Sequence, residues 1–198
     1  MITYHHEALI LRPSGHPDRS ESLNNLANAV LTRYEQLERM EDLEEVITFH
    51  HEALTLCPPG HPNRSASLNN LAVAVLSQYR KSGRIEDLEV VVTHLHKALT
   101  LCPPGHPDCF SPLTNLANAV LACYEQSGRM DDLEEVITYY HEALTLCPPG
   151  HPDCSQSLNY LANSVLTCYR KSGRMEDIEE VITYQCEALT LHPFGHPH

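Results

Sequence analysis

The chain lacks the segments that would place it in a membrane or on a secretory route. No apolar run approaches the length of a bilayer span, and residues 1–11 carry no basic stretch followed by an apolar block. A soluble, unsecreted, cytoplasmic protein is expected. Basic side chains are scarce: thirteen Lys and Arg stand against twenty-six Asp and Glu, a formal charge of −13. Such a chain repels phosphate backbones and anionic lipid, so nucleic acid and membrane surfaces are poor partners. No segment alternates apolar and polar residues as a strand does. A phosphate loop, a nucleophile elbow and a complete metal motif are also missing, so neither enzyme activity nor a cofactor is expected.

What is present is periodic. PSGHP ending at Pro17 returns as PPGHP ending at Pro62, Pro107 and Pro152, then as PFGHP ending at Pro197; His16, His61, His106, His151 and His196 are each 45 residues apart. An unbroken period of this length marks a stack of similar units, each touching its neighbours. Residues 1–198 are therefore expected to form a single repeat array. It comprises a partial unit (1–15), repeats at 16–60, 61–105, 106–150 and 151–195, and the start of a truncated next unit at 196–198.

Within the second repeat, Leu68, Leu71, Ala72, Val75, Leu76 and Tyr79 fall on one face of a helix, here called A. Pro62 suits its first turn, and Asn63 can cap it; in the first repeat Asp18 and Glu21 have capping-box spacing. Ser82-Gly83 should end helix A, with glycine in the left-handed conformation, as Gly128 and Gly173 do later. Leu88, Val91, Val92, Leu95, Ala98 and Leu99 form the stripe of a second helix, B, preceded by Glu86 and Asp87, which complement its dipole. Helix B must stop by Cys102, because Pro103-Pro104-Gly105 cannot continue it. Each pair offers about a dozen inward apolar side chains, worth roughly 1.5–3 kcal/mol apiece when buried, and only stacking completes that burial. The fold class is all-α: an α-α superhelix, or solenoid, of nine helices in antiparallel pairs.

Two local departures carry expectations. Leu37-Glu38 replaces Ser-Gly in the first repeat, so Glu38 must take the left-handed position at about 1 kcal/mol or the turn must reshape. Pro112 replaces the serine of Ser22, Ser67 and Ser157, so the third helix A should start late, near Ser111 rather than at Asp108. With Met1 aligned to Val46 inside a helix B, the array shows no polar capping helix at either end. It is expected to be a slice of a longer protein or to pair with another copy.

The eight cysteines follow columns of the repeat. Arg12 aligns with Cys57, Cys102, Cys147 and His192; Arg19 and Arg64 align with Cys109 and Cys154; Arg33 aligns with Gln78, Cys123 and Cys168. Arginine codons beginning CG become Cys, His or Gln by one transition, so these columns read as drift, leaving free thiols in a reducing compartment. The eighth, Cys186, stands where His6, His51, His96 and His141 stand. Cys102-x3-His106-x2-Cys109 and Cys147-x3-His151-x2-Cys154 group zinc-type ligands, but Arg64 breaks the pattern in the second joint, and no metal is expected. The GHP histidine is expected to pack or hydrogen-bond at the turn between repeats. His50-His51 and His5-His6 should be solvated or half-buried on helix B. Glu44-Glu45 and Glu134-Glu135 form a solvated face, since no nucleophile, base and orienter converge around them.

GHPDRSESLNNLANAV at 15–30 followed by EDLEEVITFHHEALTLCP at 41–58 resembles the tetratricopeptide repeat, closest to its kinesin-light-chain-like subtype. Leu71 to Gly83 is about one helical turn longer than that subtype implies, and Val46 and Val136 replace its usual small residue. The chain also resembles the long-period repeat arrays of mushroom-forming fungi that precede signalling domains. The resemblance implies a non-enzymatic scaffold whose A helices line a concave groove and bind a peptide or protein segment there. Asn25, Asn28, Asn70, Asn115, Asn118, Asn159 and Asn163 are the candidate groove residues, since an amide side chain both donates to and accepts from a peptide main chain. The alternatives are a solvated polar face, inter-repeat hydrogen bonding, or an array that self-associates through its ends with no peptide ligand.

Overall fold

The structure, a computed structural model, describes residues 2–147 and 152–191. The GHP turn around His151, and residues 192–198 with His192 and His196, lie outside the described residues. The described residues are helical and contain no strand. They fall into two compact units, 1–101 and 102–198.

The first unit holds α1 (Ile2–Leu11), α2 (Arg19–Leu37), α3 (Met40–Thr55), α4 (Arg64–Ser82) and α5 (Ile85–Thr100). Helix α2 pairs with α3 and α4 with α5, while α1 packs on α2 and α3 on α4. The expected stripe of α4 is buried along its whole length, and Leu88, Val91, Leu95 and Ala98 of α5 are buried with it. Val92 and Leu99 are half-buried. Ala74, fully buried, packs in a cluster with Leu26, Ala27, Val30 and Val46, so a methyl side chain sets how closely α4 approaches the preceding pair.

In the second unit a short 3-10 turn (Pro107–Cys109) leads into α6 (Phe110–Ser127), followed by α7 (Met130–Leu146), α8 (Pro152–Ser172) and α9 (Met175–Leu191). Helix α6 pairs with α7 and α8 with α9, and α7 packs on α8. Helix α6 starts at Phe110, close to the expected Ser111, with Pro112 in its first turn, where the missing N–H has no helical partner to lose. The 3-10 turn occupies the residues in front.

The turn inside each pair follows its residues. Gly83, Gly128 and Gly173 take φ of 70°, 67° and 73°, each donating its N–H to the carbonyl of the tyrosine four residues back. Glu38 adopts the same conformation at φ 51° and closes the same hydrogen bond to Tyr34, so the turn keeps its shape and strains a non-glycine residue. Ser82, Ser127 and Ser172 each accept from the N–H two residues on and donate to an aspartate five residues on, Asp87, Asp132 and Asp177. Leu37 cannot do this. In its place Arg33 forms a two-pronged pair with Asp42, at 2.8 and 2.7 Å. This hydrogen bonding holds the Asp42 carboxyl below its usual range against the opposing effect of burial.

The joint between repeats is two turns in series. His61 N–H donates to Pro58 O, with Gly60 at φ 89° in the third position, the residue order of a type II turn. Arg64 N–H then donates to His61 O. Neither Asp18 nor Asn63 caps its helix through the side chain, contrary to the sequence expectation. Their backbones lie near ψ of 10° and 2° rather than in the extended region from which a side chain reaches the free N–H groups. The imidazole instead closes the turn in front of the helix: Nδ1 of His16, His61 and His106 accepts from the main-chain N–H two residues on, at 3.1, 3.1 and 3.3 Å.

The cysteines overturn the expectation of free thiols at four positions. Cys102 is disulfide-bonded to Cys109 and Cys147 to Cys154, while Cys57, Cys123, Cys168 and Cys186 are free. The paired columns lie seven residues apart, a spacing that falls across the joint and folds their Cα atoms to 5.8 and 5.9 Å. Among the described residues no three side chains are grouped to hold a metal ion.

Candidate peptide-binding face

In the first unit, α2 turns Asn25, Asn28 and Thr32 outward because they fall opposite the buried Leu23, Leu26, Ala27 and Val30. Together with Ala29 and His5 of α1, they line an open recess of about 250 Å³. Thr32 turns its hydroxyl back onto the carbonyl of Asn28 at 3.1 Å, which leaves the Asn25 and Asn28 amides as the exposed polar ends of the recess. On α4, Asn70 is half-buried, and Val73 stands where Asn28 would be.

In the second unit the candidates divide. Asn159 and Asn163 are exposed on α8, while Asn115 is half-buried on α6. Asn118 is engaged within its own pair: its Oδ1 accepts from the Tyr140 hydroxyl at 2.8 Å. Tyr140 is fully buried and stacks on Tyr160, with ring centroids 6.0 Å apart and an interplanar angle of 17°. Tyr160 itself occupies the column of Asn25, Asn70 and Asn115. The seven asparagines are thus not one continuous ladder: Asn25 and Asn28 meet in a recess, and Asn118 serves packing.

Asn159 belongs to the column of Asn24, which has an internal role. The Asn24 amide donates through Nδ2 to Ser67 Oγ at 3.3 Å, joining α2 to α4, and its Oδ1 lies 3.0 Å from His50 Nδ1. With the amide nitrogen facing Ser67, the oxygen faces His50, so Nδ1 carries the proton and donates. His50 Nε2 is left bare and buried, with no hydrogen-bond partner among the described residues. The His50 pKa falls to about 4, chiefly because burial penalises the charged ring and secondarily because of His51. His50 was expected to be solvated or half-buried and is instead part of the core. Leu95 and Tyr140, the next residues of that column, give the only sequence signal of this, since both are core types.

Helix B shows a second pattern. His6 meets Phe49 edge-on at 6.3 Å, and His141 meets Tyr184 edge-on at 5.6 Å with a 3.3 Å hydrogen bond between them. The His51 ring is partly desolvated on helix B, which lowers its pKa, with His94 as the second cause. The His6–Phe49 and His141–Tyr184 contacts join successive B helices.

A chain whose described residues form consecutive antiparallel helix pairs linked by a recurring turn is a helical-repeat protein. Residues 20–63 match the tetratricopeptide repeat family. No curated protein matches the sequence. Solved structures share the fold. BtubC (BKLC) from P. vanneervenii superposes with TM-score 0.66 at 17% identity, over 99% of this chain and 76% of that one. The Podosopora anserina putative kinesin light chain nearly identical TPR-like repeats give 0.61 at 19%, over 94% and 86%, and MamA gives 0.55 at 16%, over 96% and 85%. The resemblance to kinesin-light-chain-like tetratricopeptide repeat proteins therefore holds in fold, and the chain is a tetratricopeptide-like helical solenoid.

Proposed function

We propose that this chain is a non-enzymatic scaffold, a single repeat array of a larger cytoplasmic signalling protein, whose A helices bind an extended peptide or protein segment. The observation that carries this reading is the recess of His5, Asn25, Asn28, Ala29 and Thr32. It offers two exposed amides on adjacent turns of one helix, able to pair with a peptide main chain whatever its sequence. Within the first unit Asn70 adds a half-buried amide on α4, and in the second unit Asn115, Asn159 and Asn163 are the candidates on α6 and α8, whereas Asn118 is occupied by Tyr140. The charge of −13 favours a protein partner over nucleic acid or an anionic membrane. No helix among the described residues is long and apolar enough to cross a bilayer.

The test is a random peptide library selected on the wild-type chain, with each selected peptide then titrated against N25A/N28A. Affinity should fall tenfold or more. Equal affinity for the double variant would contradict the reading.

A second reading, self-association without a peptide ligand, is favoured by one observation. Ile182 and Leu189 of α9 are 57% and 71% exposed, whereas Ile47 and Leu54, their equivalents on α3, are half-buried where α3 packs on α4. Sedimentation equilibrium separates the two: a mass that rises with concentration and returns to the monomer value in I182E/L189E supports self-association.

A further inference from the structure

Four successive joints carry one pair of columns, and the structure closes them by two different chemistries. At the first joint Arg19 Nη1 donates to the carbonyl of Arg12 at 2.8 Å, and at the second Arg64 Nη1 donates to the carbonyl of Cys57. At the third and fourth the same columns are joined covalently, Cys102 to Cys109 and Cys147 to Cys154. A guanidinium clamp is indifferent to thiol reagents, whereas a disulfide is opened by them. Where the bond opens, no arginine stands by to replace it, because positions 109 and 154 are themselves cysteine.

We propose that the joints at 102–109 and 147–154 are reversible dithiol–disulfide sites. The firmness of the second unit is then set by the redox state of its surroundings, while the first unit is exempt. The co-reactant is a dithiol. Its thiolate attacks one sulfur of the bridge, forming a mixed disulfide and expelling the other cysteine as a thiolate, which takes a proton from water. The second thiol of the reagent, deprotonated, then displaces the remaining cysteine, which is protonated in turn. Two electrons and two protons have passed to the protein, and the reagent leaves as its own disulfide. Closure is the reverse exchange with a disulfide oxidant. In a reducing compartment, disulfides that do form are typically transient and sensing rather than permanent.

Access orders the two sites. Cys102 and Cys109 are both buried, while Cys147 is half-buried beside buried Cys154. Attack should therefore reach the 147–154 bridge first. Cys154 lies in the first turn of α8, so opening this bridge frees that turn from the end of α7. The Tyr140–Tyr160 stack, which joins the same two helices, is the contact best placed to report the change.

The test uses the full chain equilibrated with oxidised glutathione and then treated with dithiothreitol. Alkylation in denaturant should count four free thiols before reduction and eight after, with Cys147 and Cys154 released faster than Cys102 and Cys109. Amide hydrogen exchange should quicken tenfold or more over 102–115 and 152–160 on reduction, and stay unchanged over 12–25 and 57–70. C109R/C154R, which copies the second joint, should exchange slowly with or without dithiothreitol. C109S/C154S should exchange quickly under both conditions. Eight free thiols in the oxidised sample, or exchange that responds equally at all four joints, would overturn the proposal. Wild-type thiol counts and exchange suffice to decide it if a variant does not fold.

Discussion

The imidazole of His50 donates through Nδ1 to the side-chain oxygen of Asn24 while its other nitrogen is buried in the core with no hydrogen-bond partner among the described residues. A second proton on that ring would sit at Nε2, where nothing accepts it. The fold therefore holds His50 neutral, with its pKa at about 4.

Acid stability follows from this. The unfolded chain takes up the His50 proton near the ordinary value of 6.5, the folded chain only near 4, so stability is full above pH 6.5 and is lost progressively as pH falls through that window. The loss from this group should reach about 3 kcal/mol at the lower end. Thermal unfolding followed by circular dichroism should show H50L, which installs the residue found at Leu95, losing less stability than wild type between pH 6.5 and 4.5. Parallel curves for the two proteins would remove His50 as the cause.

The turn glycines and Glu38 form an internal control on backbone strain. A side chain at Gly83 would meet no atom within 4 Å, so G83A is expected to cost about 1 kcal/mol through its φ of 70° alone. E38G should move the other way. Its gain, up to about 1 kcal/mol, is offset in part by loss of the exposed Lys81 ion pair at 3.0 Å. Urea melts of both variants check the two signs, and destabilisation by E38G would show that the ion pair outweighs the strain.

Arg33 and the turn serine are alternative partners for one carboxylate. R33C, which copies Cys123 and Cys168, should lower the melting temperature by several degrees, because Asp42, only 2% exposed, loses its two-pronged partner. Adding L37S, which copies the turns at Ser82, Ser127 and Ser172, should restore part of the loss. A double-mutant cycle with no coupling between the two sites would contradict the compensation.

At the first three joints the histidine Nδ1 accepts a main-chain N–H. H61A should cost about 0.5–1 kcal/mol and speed exchange of the Asn63 amide, while H61N, whose side-chain oxygen can accept the same N–H, should retain most of the stability. Equal losses in both variants would mean that the ring contributes by packing instead.

Much of this fold was legible because the repeat states each rule several times. Leu68 to Tyr79 show helical spacing, Gly83 sits one residue past the stripe, and Pro103-Pro104-Gly105 forbids continuation, so helix boundaries emerge from local chemistry. Glu38 in the glycine position was readable for the same reason. The disulfides were not, because Cys102 and Cys109 are brought together by a loop whose path depends on two consecutive turns, and their alignment with arginine pointed toward drift. That the GHP histidine would hydrogen-bond at the turn was legible and holds at His16, His61 and His106; that Asp18 and Asn63 would not cap their helices was not, since only the backbone angles exclude them. At the candidate site, spacing placed Asn25 and Asn28 outward correctly. It could not reveal that Asn118 is taken by Tyr140, a contact between helices 22 residues apart in sequence.

The measurement that bears most directly on the binding account is an amide-resolved NMR titration of the chain with a library-selected peptide. The predicted result is that the side-chain amides of Asn25 and Asn28 and the backbone of Thr32 shift most in the first unit, and that N25A/N28A abolishes the response. Shifts concentrated instead on the exposed Ile182 and Leu189 of α9, with Asn25 and Asn28 unmoved, would contradict it.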